Sequence, residues 1–286
     1  MARGSGQRAG VGGIRRQRRL DRASRPGGGV FETDRAWPGG GAMMLAIRVL
    51  GAEIAKLNRS LVLLLATAPP VMMAVMGAAV LISGNGPETW IQAAMGGTAI
   101  WAYLLMPLTV TALTALIASL EHQSGGWTWT LAQPAPKALI FAAKALVCTG
   151  LTALISLGVG AGIIAGALAG GAIAPDEALA GDIPLAMMGR LLAGMLVAGL
   201  LLIAIQFAAA HAFRAFAAPI IIGIGGTFVA VVATSSRAGL YFPWLLPVNM
   251  LATDPAHMTQ ALWTGGIGGL IVFTAACLWL ARRDWR

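Results

Sequence analysis

Few side chains in this chain of 286 residues could do chemistry, and their spacing excludes most of what they could do. Histidines stand at 122, 211 and 257. They are too far apart for H-E-x-x-H or a similar set of metal ligands, and read as ordinary loop residues. The two cysteines, Cys148 and Cys277, lie inside apolar runs. A thiol there behaves as a small hydrophobe, and no disulfide or metal framework is implied. No Ser occupies the centre of G-x-S-x-G. No Lys follows a Gly anywhere, which excludes a phosphate loop of the G-x-x-x-x-G-K-S/T type and ATP hydrolysis by that route. The expectation is a chain that is not an enzyme and carries no cofactor or metal.

What remains is the stretch from Glu121 to Lys144, EHQSGGWTWTLAQPAPKALIFAAK. It holds Lys137 and Lys144, two of three lysines, and two tryptophans, Trp127 and Trp129. A charge-free run of 32 residues, Thr89 to Leu120, precedes it, and one of 31, Ala145 to Pro175, comes after it. Each exceeds the ~20 residues an α-helix needs to cross a bilayer, so the stretch is a loop between two spans. Its lysines place it in the cytoplasm. Gly125-Gly126 gives flexibility at its start, and Pro134 and Pro136 stiffen the return. Two readings stand. Either a soluble partner grips this loop and drives the membrane part, or the loop only connects and its tryptophans set membrane depth.

The elements that must position this stretch follow from composition. The chain is 57% hydrophobic and 11% charged, with a mean hydropathy of +0.76, against roughly 25% charged residues in soluble domains. It reads as an all-α polytopic membrane protein with six spans: Ser60 to Ser83, Trp101 to Leu120, a third within Ala138 to Gly166, Leu191 to Ala210, Ala217 to Ser235, and Ala261 to Ala281. Pro69 and Pro70 are expected to kink the first. With both termini inside, the inner side holds nine Lys and Arg and the outer side only Arg190 and Arg237. The expected location is therefore the plasma membrane, multi-pass, with cytoplasmic termini. No charge lies mid-span, which weighs against a proton-driven carrier and an intramembrane enzyme.

Residues 1–42 hold nine arginines and three acids, supplying +6 of the net +9. They lack apolar periodicity and read as a disordered basic arm. It lies on anionic lipid, or it is an extension that the working protein lacks, with Met43 or Met44 as the start. The expected domain is 43–286. Apolar residues at 44, 47, 50, 54 and 57 have helical spacing and predict an amphipathic interfacial helix before the first span.

Gly158, Gly162, Gly166 and Gly170 recur every fourth residue, a row that admits a close helix neighbour, within one subunit or at a dimer seam. Between spans five and six, RAGLYFPWLLPVNMLATDPAHMTQ is too apolar for a free loop, yet Pro243 and Pro247 break any full span. It predicts a re-entrant or interfacial pair of short helices, with Tyr241 and Trp244 at the headgroups and Phe242 beside them.

Glu121, Trp127, Pro134 and Lys144, together with Arg214-Ala215-Phe216-Ala217-Ala218-Pro219, Tyr241-Phe242-Pro243-Trp244 and Arg282-Arg283-Asp284-Trp285, resemble the membrane subunits of ABC exporters of the bacitracin-resistance and lantibiotic-immunity class. The resemblance covers about residues 44–286. It implies the same six-span layout, a cytoplasmic coupling helix between the second and third spans, and short re-entrant helices before the sixth. It implies that two such subunits pair, as homodimer or heterodimer, and that a separate ATPase, with ATP and Mg on that partner, binds each. Glu121, Trp127, Trp129, Gln133, Pro134 and Lys144 would then carry coupling. The implied function is export of a peptide antibiotic or other amphiphile by alternating access, giving resistance. The rivals are a secondary carrier working without an ATPase, a membrane enzyme, and a non-transporting anchor or sensor.

Overall fold

The computed structural model describes residues 39–58, 60–123, 135–213 and 215–283. The chain divides into two units, Met1–Ala42 and Met43–Arg286. The second is a bundle of helices, the first of which begins just ahead of its boundary. They are α1 (Gly39–Leu57), α2 (Leu61–Ile82), α3 (Trp90–Ile100), α4 (Met106–Gln123), α5 (Lys137–Ile173), α6 (Leu185–Ala198), α7 (Leu200–Ala212), α8 (Ala217–Ala233) and α9 (Pro255–Arg282). No strand occurs among the described residues, whose one β-bridge pairs Thr89 with Ala180.

Four helices are long and apolar enough to cross a membrane: α2, the run Trp90–Glu121, α5 and α9. The bent pair α6 and α7 makes a fifth if it forms one span. The 17 residues of α8 rise about 25 Å, near the lower limit for crossing a core of about 30 Å. The chain is thus a polytopic helical membrane protein.

Local sequence explains the irregularities. Trp101–Leu105 forms one π turn between α3 and α4, where Met106 N–H reaches back to the Trp101 carbonyl. Pro107 comes directly after and has no N–H to give the Tyr103 carbonyl, so the register shifts there. The 44° bend between α6 and α7 falls at Gly199, where Ala198 and Leu200 pack against α9 at Gly265 and Gly269. The helix α2 runs unbroken through Pro69 and Pro70. Buried hydroxyls are satisfied within their own helices: Thr111, Thr114, Thr152, Ser156 and Thr227 each donate to the carbonyl four residues back.

The glycine row of α5 faces α2. A Cβ at Gly158 would meet the Pro70 ring, at Gly162 the Pro70 carbonyl, at Gly166 the Ala74 carbonyl, and at Gly170 Ala78. In lipid, helices associate through such close backbone packing rather than hydrophobic expulsion. The row therefore joins two helices of one chain. At 37 residues α5 is about 55 Å long, well beyond the hydrocarbon thickness, so its first turns need not lie in the apolar core.

Candidate functional site

The flanks of the Glu121 to Lys144 stretch meet. Glu121 closes the last turn of α4 and Lys144 lies in the second turn of α5, with 124–134 between them outside the described residues. Lys144 Nζ donates to Glu121 Oε1 at 3.0 Å and to Glu53 Oε2 of α1 at 2.6 Å. Lys56 Nζ, also on α1, donates to Glu53 Oε1 at 2.8 Å and Glu121 Oε1 at 2.7 Å. Among the described residues, two ammonium groups and two carboxylates thus alternate in one cluster. Lys144 is 1% exposed and Glu121 3%. Charges buried this deeply persist only when paired and hydrogen-bonded.

The Lys56 side chain is a third exposed. Burial pushes its pKa down, but the hydrogen bonds to Glu121 and Glu53, with their charges, outweigh this and raise it above the ordinary 10.5. A raised lysine pKa leaves the contribution of Lys56 whole at neutral pH. That contribution is lost only as the pH climbs past the ordinary lysine range.

This cluster sets how α1 docks. The helix buries Val49, Glu53 and Leu57, with Val49 packed against Ile140 and Ala143 of α5. The apolar positions Met44, Ile47 and Ile54 stay exposed. The face turned to the protein therefore centres on Glu53, which meets Lys144, and takes in only Leu50 and Leu57 of the stripe 44, 47, 50, 54, 57. Sequence reasoning missed Glu53 and Lys56, although a lysine at the edge of a long apolar run signals that a carboxylate must come to it.

Of the other anticipated coupling residues, Trp127, Trp129, Gln133 and Pro134 lie outside the described residues. Of the histidines, His211 is not in a loop: it ends α7, buried, its Nδ1 2.9 Å from the Phe207 carbonyl and its ring against Phe207 and Phe141. His257 stands near Asp254, and the His122 side chain is outside the described set.

At the opposite end of the bundle, the segment before α9 forms two short 3-10 turns, Arg237–Tyr241 and Val248–Leu251. Pro247 precedes the second, fixing φ where that turn begins. Trp244 is 6% exposed and stacks on Phe242, the centroids 5.4 Å apart. Its Nε1 donates to the Gly223 carbonyl of α8 at 3.2 Å, and its ring covers Gly226, where a Cβ would overlap it. Pro243 sits between the two aromatic residues in sequence, and Tyr241 is exposed.

Gly223 is also held from α7. The buried Gln206 amide, in the orientation its neighbours satisfy, donates to the Pro219 carbonyl at 3.2 Å and accepts from Gly223 N–H at 3.0 Å. Its side chain spans one rung of the α8 ladder. The sequence signal for it is an amide in the middle of an uncharged apolar run, which a search for charges passes over.

Among known proteins, no curated protein and no solved structure matches the chain. The family model described as ABC-2 family transporter protein matches residues 49–230. That match takes in α2 to α7, most of α8, and Glu53, Lys56, Glu121 and Lys144 of the ion cluster. The chain belongs to the ABC-2 family of transporter proteins, as a membrane permease component.

Proposed function

We propose that this permease belongs to an ATP-driven exporter that moves an amphiphile, such as a peptide antibiotic, out of the membrane or cell, and that the segment 121–144 is where ATPase motion enters. The observation that carries this is the ion cluster. It ties both flanks of the segment, α4 and α5, to α1, so a push on residues 124–134 cannot be absorbed by the helix ends and must tilt the helices together. The partner ATPase carries ATP and Mg, and two permease subunits pair around the transport path. Lipid-facing Met44, Ile47 and Ile54 suit an α1 lying in the membrane interface.

The test is co-purification of the ATPase with wild-type and Trp127→Ala/Trp129→Ala permease, alongside substrate-stimulated ATP hydrolysis. Neither tryptophan is one of the four cluster residues Glu53, Lys56, Glu121 and Lys144, so the cluster's own ion pairs are left unchanged. Loss of an aromatic hot spot costs ~2 kcal/mol or more, about 30-fold in affinity. Unchanged association and unchanged stimulation would reduce the segment to a connecting loop.

Six spans with both termini inside follow from the same reading, α6 and α7 counting as one broken span and α8 as a short one. In a variant lacking Cys148 and Cys277, a cysteine placed by Ser124→Cys should react with an impermeant reagent only from the cytoplasmic side. One placed by Ser235→Cys should react only from outside. The reverse pattern would invert the topology.

A further inference from the structure

A cavity of about 260 Å³ lies between α2, α3 and α5, at the end of the bundle away from the ion cluster. Met73, Met76, Gly97, Ile163 and Ala167 form its wall, and Pro87 and Leu179 its rim. It exists because small residues meet there: at Gly96 an added Cβ would touch nothing within 4 Å. Gln92 is the one polar side chain lining it, and its Oε1 is engaged by the Glu88 and Thr89 N–H groups. Ligand pockets run from about 300 to 1,000 Å³, so this one accepts a tail and not a whole peptide.

The rim is built from two loops, 83–89 and 174–184. The Thr89–Ala180 bridge pins them together, with Trp90 N–H donating to Ala180 O and Ala180 N–H to Glu88 O. Gly84 and Gly181, both at positive φ, allow the turns. These loops carry Glu88, Asp176, Glu177 and Asp182, all exposed, and no Lys or Arg.

We propose that this cavity binds the hydrophobic tail of a cationic amphiphile whose head rests on the acidic rim. It rests on the transport reading above and adds the sign of the substrate's charge. Tail burial alone cannot select a ligand, since lipid tails are as apolar as the cavity wall. The preference must come from the head, and four carboxylates without a counter-cation on either loop raise the local concentration of positive charge.

The test uses the full chain in nanodiscs of zwitterionic lipid, with no ATPase, so it stands or falls separately from coupling. The probes share one diazirine-bearing dodecyl tail and differ in head: trimethylammonium, sulfate or maltoside. Photo-adducts are located by mass spectrometry. The ammonium probe should label the cavity wall at least ~10-fold more than the sulfate probe, and the excess should shrink in high salt. Ala93→Trp should lower labelling about 10-fold. Glu88→Gln/Asp176→Asn/Glu177→Gln/Asp182→Asn changes only exposed loop side chains and should bring the ammonium probe down to the maltoside level. Equal labelling by all three heads would mean that any bilayer tail enters, and would overturn the proposal. So would absence of adducts at the wall, or labelling indifferent to the four-residue variant.

Discussion

Lys144→Met should destabilise the protein by about 3–5 kcal/mol, because it takes a buried cationic donor from two buried carboxylates at once. Burial decides the size: Lys144, Glu121 and Glu53 are each at most 6% exposed, so water cannot replace the lost bonds. Glu121→Gln alone takes the charged acceptor from Lys144 and Lys56 in the same place and should cost a comparable amount. The double variant Lys144→Met/Glu121→Gln removes both charges of the pair together and should recover much of the loss. Lys56→Met removes its two ion pairs at the exposed side of the cluster, where water screens them, so it should cost less than Lys144→Met. Thermal unfolding of the purified variants in one detergent measures all four. Strictly additive losses in the double variant would show that the two residues do not act as a pair. Because the cluster ties α1, α4 and α5 together, the same variants should lower transport even at temperatures where they remain folded.

Trp244→Ala should cost about 3–5 kcal/mol, the range for removing a large buried aromatic. Two losses combine. The ring leaves a void over Gly226, and the Gly223 carbonyl loses one donor while keeping Thr227 Oγ1. Trp244→Phe separates them, since it keeps most of the packing and forfeits the hydrogen bond, a net loss of about 1 kcal/mol. Gly226→Leu approaches the same contact from α8 and should also destabilise, by driving a side chain into the indole. Unfolding midpoints for the three variants check this, and a Trp244→Ala protein as stable as the wild type would detach the segment from the bundle. Gln206 grips α8 at the same residue from the other side, so the expected consequence for function is a loosened α8 and lost transport.

Much of this was legible in the sequence because it is local. Charge-free length and hydropathy mark a membrane helix without reference to any other part of the chain. The first run, Ser60 to Ser83, appears as α2 from Leu61 to Ile82, and Ala217 to Ser235 contains α8. The absence of a phosphate loop is likewise a property of the string of residues. Partners are not local. Lys144 finds Glu53 across 91 positions of sequence, and Trp244 finds Gly223 across 21. A periodic stripe shows that a helix has an apolar face, not which surface that face meets. The stripe of α1 is split, with Leu50 and Leu57 against the core and Met44, Ile47 and Ile54 exposed, because desolvating Lys144 demands a carboxylate more strongly than Ile47 and Ile54 demand protein neighbours that lipid can replace. The glycine row announces a close helix contact, but only the fold shows that the neighbour is α2 of the same chain. Composition thus determined that this is a helical membrane protein and roughly where its helices run. The tertiary structure decided which buried charges neutralise one another, because that choice depends on distances in space that the order of residues does not contain.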